Sequence, residues 1–303
     1  MTEIPHDRSH PDFLSRLKQP EPLILDGATG TELTRRGVDT GLPLWAANAL
    51  LSDENARVLQ QIHTDYLTAG ADIITANTFR THIRALAPSG NGQRALELTR
   101  RAVDLARTAI AETPGGTARF VAGSISTLED CYRPDLVPPD DECRAEHSER
   151  VHHLLDSNID VFLLETFNSI REAVIVAKLA TITGTPVMVS FVCNSAGRIL
   201  SGETLTEAAN QLLPLGVVAL GVNCGSTPDL AAPLSELRAA CGPDFPLIGY
   251  GNIGYPDEKV GWVNTDTEDP AVYCQHAARW PVHIVGGCCG TTPAHIAELK
   301  ATI

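Results

Sequence analysis

Eight times along this chain a short apolar run gives way to turn residues, and most of the intervals then carry a helical pattern. The runs occupy 23–25, 72–75, 119–122, 161–164, 186–191, 217–220, 246–249 and 282–285, and amphipathic periodicity marks helices over 55–69, 94–112, 169–183 and 205–213. Short runs apolar at every position are strands buried on both faces, and their alternation with helices implies a parallel sheet. Eight such units predict an α/β fold, a (β/α)8 TIM barrel with eight parallel strands, for which about 250 residues is usual. An open doubly wound sheet carries the same local signature. No Pro/Ser linker or composition break divides the 303 residues, so we expect a polar N-terminal segment over 1–19 and one barrel over 20–303.

The distinctive residues fall at the ends of the runs. Asp26 with Gly27 to Gly30 follows the first, Asn77 and Arg80 the second, Gly123 with Ser124 the third and Glu165 with Thr166 the fourth. Asn223 and Cys224 follow the sixth, Asn252 the seventh and Cys288 with Cys289 the eighth. In a barrel all of them share the C-terminal rim, where such folds place their sites. Adjacent cysteines between glycines are hard to explain as packing, because neighbours on a strand point to opposite faces. From a loop both can face one ion, and with Cys224 from two strands away they form a candidate open zinc site, the fourth position left for a substrate. Two buried free thiols or a vicinal disulfide are the alternatives.

Composition narrows the function classes. A net charge of −14 argues against a nucleic-acid partner, which needs a basic footprint. No run approaches the roughly 20 apolar residues of a membrane helix, and 1–11 lacks a signal-peptide core, so a cytoplasmic location is expected. The eight cysteines are therefore not read as four disulfides. Cys193, Cys241 and Cys274 read as small apolar fillers, and Cys131 and Cys143, flanking a Pro- and Asp-rich loop, have no assigned role. His82, His152, His153 and His276 fall in helical stretches and His283 in a strand, as surface or core residues.

Taken together, Leu25-Asp26-Gly27-Ala28-Thr29-Gly30-Thr31-Glu32-Leu33, Leu164-Glu165-Thr166, Gly221-Val222-Asn223-Cys224 and Gly286-Gly287-Cys288-Cys289-Gly290 resemble the homocysteine S-methyltransferase family, from about residue 20 onward. That resemblance implies a zinc-dependent barrel that methylates homocysteine to methionine, with Cys224, Cys288 and Cys289 as zinc ligands. It implies that Asp26 with Gly27, and Glu165, hold the amino-acid end of homocysteine. Glu165 otherwise reads as a structural strand-end carboxylate and Asp26 as a turn residue. Asn77, Ser124 and Asn223 join the expected substrate-binding set from their rim positions.

The partners expected are homocysteine and a small methyl donor. Related methionine synthases carry folate and corrinoid modules after this domain, and this sequence runs to Ile303, so a free onium donor is expected: S-methylmethionine, S-adenosylmethionine or a betaine. Trp45 resembles the aromatic of onium-using relatives, and a tryptophan face attracts a methylated cation by roughly 1–2 kcal/mol when desolvated; its other reading is ordinary packing. Arg80 stands where betaine-using relatives place a tyrosine, which favours a sulfonium donor over glycine betaine. Other readings are a corrinoid protein as donor, or a non-catalytic thiol or zinc sensor on the same barrel.

Overall fold

The computed structural model describes residues 13–115, 118–257 and 261–303. Its strands are β1 (Leu23–Ile24), β2 (Ile73–Ala76), β3 (Phe120–Ile125), β4 (Val161–Phe167), β5 (Val187–Phe191), β6 (Ala219–Ser226), β7 (Leu247–Asn252), β8 (Gly254–Asp257), β9 (Gly261–Asn264) and β10 (Ile284–Gly287). Among the described residues, β1 to β7 and β10 form one parallel sheet in the order β1-β10-β7-β6-β5-β4-β3-β2. A parallel bridge between Leu25 and Ile73 joins its two ends, with Asp26 N–H donating to Ile73 O at 3.0 Å and Asp72 N–H to Ile24 O at 2.7 Å. The sheet is a nearly closed barrel, and the open doubly wound alternative is excluded.

Strand alternation sorts the side chains into two layers. Leu23, Leu25, Ile73, Phe120, Ala122, Val161, Leu163, Met188, Ala219, Ile248 and Ile284 fill the barrel interior. Ile24, Ile74, Val121, Phe162, Leu164, Val189, Leu220 and Val285 face the helices instead. The helices are α1 (Phe13–Leu17), α2 (Gly30–Arg35), α3 (Asp53–Ala69), α4 (Ile83–Leu86), α5 (Ala95–Glu112), α6 (Asp140–Leu155), α7 (Ile170–Thr181), α8 (Leu205–Leu212), α9 (Ala231–Cys241), α10 (Pro270–Ala277) and α11 (Pro293–Thr302). Local chemistry sets their ends. Ser52 accepts from Asn55 N–H to start α3, which stops at Gly70 in the left-handed region. Thr204 and Glu207 form a reciprocal capping box on α8, and Asp269 caps α10 ahead of Pro270.

Helix α1 closes the N-terminal end of the barrel. Phe13 and Leu17 join the interior cluster, and Phe13 meets Phe120 edge to face at 5.2 Å. Residues 1–12 of the expected polar segment lie outside the described residues.

Two local expectations are corrected, and one hairpin was not expected. The rim motifs of β3, β4, β6 and β7 lie inside the strands: Ser124, Asn223 and Asn252 are paired strand residues, since polar side chains do not stop a parallel ladder, while Glu165 and Cys224 fall where the β4–β5 and β6–β7 registers shift. His283 sits just before β10, its Nδ1 accepting from Leu247 N–H at 3.2 Å. The β8–β9 hairpin after β7 was not foreseen, since Pro256 interrupts any strand pattern there.

Candidate metal centre and substrate cavity

A cavity of about 380 Å³ opens at the C-terminal ends of the strands. At one side the thiols of Cys224, Cys288 and Cys289 come together, all three sulfurs within 4.8 Å of one another and Cys224 Sγ to Cys289 Sγ at 3.8 Å. Tetrahedral thiolates at a metal–sulfur distance of about 2.3 Å stand about 3.8 Å apart, so the three sulfurs fit a soft ion with one position open to the cavity. Among the described residues no other group of this kind forms.

The backbone is arranged to make this meeting possible. Cys224 has φ +58, a left-handed conformation unusual outside glycine, which departs from the strand alternation that Asn223 begins. Asn252 holds the two cysteine segments together: its Nδ2 donates to Cys224 O at 2.9 Å and its Oδ1 accepts from Cys289 N–H at 3.0 Å. Cys288 N–H donates to Gly251 O at 2.8 Å, and Thr291 Oγ1 donates to Cys288 O at 2.8 Å. A Cβ on Gly287 would run into the Thr291 side chain, so the residue before the cysteine pair needs to be glycine. Thiol donation from Cys288 and Cys289 holds Cys224 well below the ordinary thiol range and pushes Cys288 up in turn. Tyr132, from the connection between β3 and α6, sets its hydroxyl 3.0 Å from Cys224 Sγ.

Two buried carboxyls line the same cavity. Glu165 accepts hydrogen bonds from Ser124 Oγ and, at 3.2 Å, from Tyr250 Oη. Burial raises its pKa to about 7, opposed by the Ser124 hydrogen bond and assisted by charge on Cys224. Asp26 accepts from Thr75 N–H and Thr75 Oγ1, each at 2.8 Å, and burial likewise raises it to about 7 against those two bonds. Carboxyls poised there respond to an arriving ammonium group by ionising fully.

The remaining wall is aromatic and cationic. Trp45, at φ +47, packs edge to face on Phe79 at 5.6 Å. Its ring lies so close to Gly30 that a Cβ there would collide with it. Asn77 Nδ2 donates to Ala46 O at 2.8 Å and Arg80 Nη1 to Pro43 O at 3.3 Å, both pinning the Trp45 segment to the end of β2.

Asp26, Gly27, Trp45, Asn77, Arg80, Ser124, Glu165, Cys224, Cys288 and Cys289 thus share one cavity. Asn223 does not line it. Its Oδ1 accepts from Thr166 N–H at 3.0 Å and Ser190 Oγ at 2.8 Å and its Nδ2 donates to Thr166 Oγ1 at 2.7 Å, so a direct substrate contact is corrected to a brace between β4, β5 and β6. Cys131, which had no role, lines the cavity beside Tyr132, whereas Cys143 is buried away from it with Leu128 and Ile175. Tyr132 and Tyr250 carried no sequence signal beyond their type, because loop folding and strand register bring them to the site, whereas Phe79 falls in the rim stretch 77–80 after the second run. For Asn252 the signal existed: it follows the seventh run as Asn223 follows the sixth.

Comparison with known proteins agrees with this geometry. The family model described as homocysteine S-methyltransferase matches residues 23–303. A homocysteine S-methyltransferase of Escherichia coli is 33% identical, over 94% of this chain and 96% of the relative. A selenocysteine Se-methyltransferase of Brassica oleracea is 28% identical, over 90% and 86%. The crystal structure of the metallated form of the E. coli homocysteine methyltransferase MmuM superposes with a TM-score of 0.81 at 30% identity, covering 95% of this chain and 98% of that one. On the matched length, the shared barrel and the cysteine cluster at its rim, this chain is a member of the homocysteine S-methyltransferase family.

Proposed function

We propose that the chain transfers a methyl group from a free sulfonium donor to homocysteine, with zinc held by Cys224, Cys288 and Cys289. The observation that carries this reading is the convergence of three thiols and two buried carboxyls on one cavity that Trp45 and Phe79 also line. Bound there, zinc would supply deprotonation of a substrate thiol, whose pKa of about 8.5 otherwise leaves it mostly neutral. The residues do the rest. Glu165, oriented by Ser124 and Tyr250, and Asp26, oriented by Thr75, take the substrate ammonium and fix which way the amino acid lies. The face of Trp45 receives the sulfonium and excludes water from its methyl groups. The homocysteine sulfur forms a bond to the donor methyl while the methyl–sulfonium bond breaks, its electron pair staying on the donor sulfur as a neutral thioether. The thiol proton is released, and no side chain need act as a base at the transfer step.

Arg80 stands on the cavity wall where betaine-using relatives place a tyrosine, which supports a sulfonium donor over glycine betaine. A cytoplasmic location belongs to the same proposal, since cavity-lining thiolate ligands persist in a reducing compartment; among the described residues no helix is long and apolar enough to cross a membrane. A single barrel domain over 20–303 is proposed with it. The test offers purified, reduced protein homocysteine with S-methylmethionine, S-adenosylmethionine and glycine betaine in parallel, and scores methionine. Turnover with a sulfonium donor supports the reading, and turnover only after a corrinoid protein is added, or with none, contradicts it.

A further inference from the structure

Among the described residues Arg80 is the one basic residue lining the cavity that the three thiols also line. It follows β2, which lies diametrically opposite β6, the strand of Cys224, in the eight-membered order. Its Nη1 donates to Pro43 O, and its Nε is buried with no partner. Asp130, which also lines the cavity, spends its Oδ1 on Tyr132 N–H at 2.9 Å, and no ion pair joins it to Arg80 among the described residues. Nearby charge makes the position more positive still. Arg150 packs behind Phe79, donating to Phe79 O at 3.2 Å and to Ser126 O at 2.6 Å.

A guanidinium left short of partners inside a ligand cavity is a site for a carboxylate, which its planar fork accepts in two parallel hydrogen bonds. Two amino-acid ends could claim it. The homocysteine end is accounted for by Glu165 on β4 and by Asp26 just past β1, its carboxylate held by Thr75 of β2. The donor must reach the same sulfur from the other side, with its sulfonium against Trp45 and its tail toward the end of β2. Without an anion on that tail, a cationic donor would be repelled by Arg80 in a low-dielectric cavity.

We propose that Arg80 is the specificity-determining residue of the donor subsite, binding the α-carboxylate of an amino-acid sulfonium and thereby rejecting sulfonium donors that lack one. This rests on the sulfonium reading above. The side chain contacts substrate and takes no part in bond making, so its effect falls on donor KM and donor affinity rather than on kcat.

The test compares wild type, Arg80→Gln and Arg80→Lys with two donors, S-methylmethionine and its decarboxylated analogue, (3-aminopropyl)dimethylsulfonium. Loss of a charge-assisted bidentate contact raises the S-methylmethionine KM about 10- to 100-fold in Arg80→Gln, with partial recovery in Arg80→Lys. The KM for the analogue stays the same or falls. Calorimetric binding of S-methylmethionine to the homocysteine-loaded protein shows the same ratio without relying on turnover. Equal losses for both donors, or no loss for either, overturn the proposal alone, as does saturable binding that Arg80→Gln leaves unchanged. Absence of saturable S-methylmethionine binding to wild type overturns it together with the sulfonium reading. Absence of turnover with binding still sensitive to Arg80 overturns the catalytic reading and upholds the subsite.

Discussion

At the N-terminal end of the barrel, Phe13 and Leu17 close the strands with hydrocarbon, against Leu23, Ile73, Phe120, Val161 and Ile284. At the C-terminal end the same strands finish in two buried carboxyls, three thiols and a tyrosine hydroxyl that reaches one of those carboxyls. Three of the four non-glycine residues with positive φ among the described residues, Trp45, Thr166 and Cys224, belong to that second end. One end gains free energy by removing apolar area from water. The other holds strained backbone and buried carboxyls, both of which oppose folding and are tolerated because the floor and the helix layer stabilise the barrel. The comparison therefore separates residues whose loss unfolds the chain from residues whose loss leaves it folded and inactive.

The largest expected effect breaks the floor. Phe13→Ala removes a ring 3% exposed and leaves its edge-to-face contact with Phe120 empty, for a loss of about 3–5 kcal/mol in urea unfolding. Its kcat/KM at a temperature where it remains folded stays within about twofold of wild type, because nothing at the rim touches α1. Glu165→Gln does the reverse. Removing one partner of a buried charge pair with the substrate ammonium lowers kcat/KM about 100-fold, mainly through homocysteine KM, with unfolding at neutral pH little changed. A floor variant that lost activity while folded, or a rim variant that unfolded, would erase the distinction.

Asn252→Ala sharpens it. Both cysteine segments lose their shared side-chain amide, and a positioning residue of this kind is worth about 10- to 100-fold in metal affinity. Competition with a chromophoric chelator reads this directly, whereas a residue of structural importance alone would shift the melting temperature and leave the affinity intact.

The smallest effect concerns Asp26. Burial holds its carboxyl at about 7 against 3.8 for the free group, so the native chain keeps a proton that the unfolded chain releases between those values. Its contribution to stability is fully present below pH 3.8 and is lost as pH rises through 7. Metal-free, reduced wild type should thus lose more urea stability between pH 5 and 8 than Asp26→Asn does. Parallel pH profiles for the two proteins would contradict the burial account.

The barrel was legible because each of its parallel strands is apolar on both faces, a pattern few other arrangements tolerate. The thiols and Asp26 were legible because residues at or just beyond the C-terminal ends of barrel strands share one rim, whatever their separation in sequence. What escaped depends on side-chain reach rather than on strand ends. Tyr132 arrives on a loop whose path is set by anchors such as the Arg84–Glu129 ion pair and the Asn168 bond to Asp130 O, and no local pattern encodes those. Asn223 was misplaced because it alternates with Cys224: once Cys224 turns toward the cavity, its neighbour is left to brace the strands. The floor helix is only five residues long, too short for periodicity to announce.

The central claim is that the three rim thiols hold the ion that readies homocysteine for methylation. Zinc content per chain, measured on reduced wild type and on Cys289→Ala alongside methionine formation from homocysteine and S-methylmethionine, tests it most directly. The account predicts one zinc per wild-type chain, zinc lost from Cys289→Ala, and turnover that falls with it while the variant stays folded. A wild-type chain that forms methionine with no zinc bound, or a Cys289→Ala chain that keeps both zinc and turnover, would contradict it.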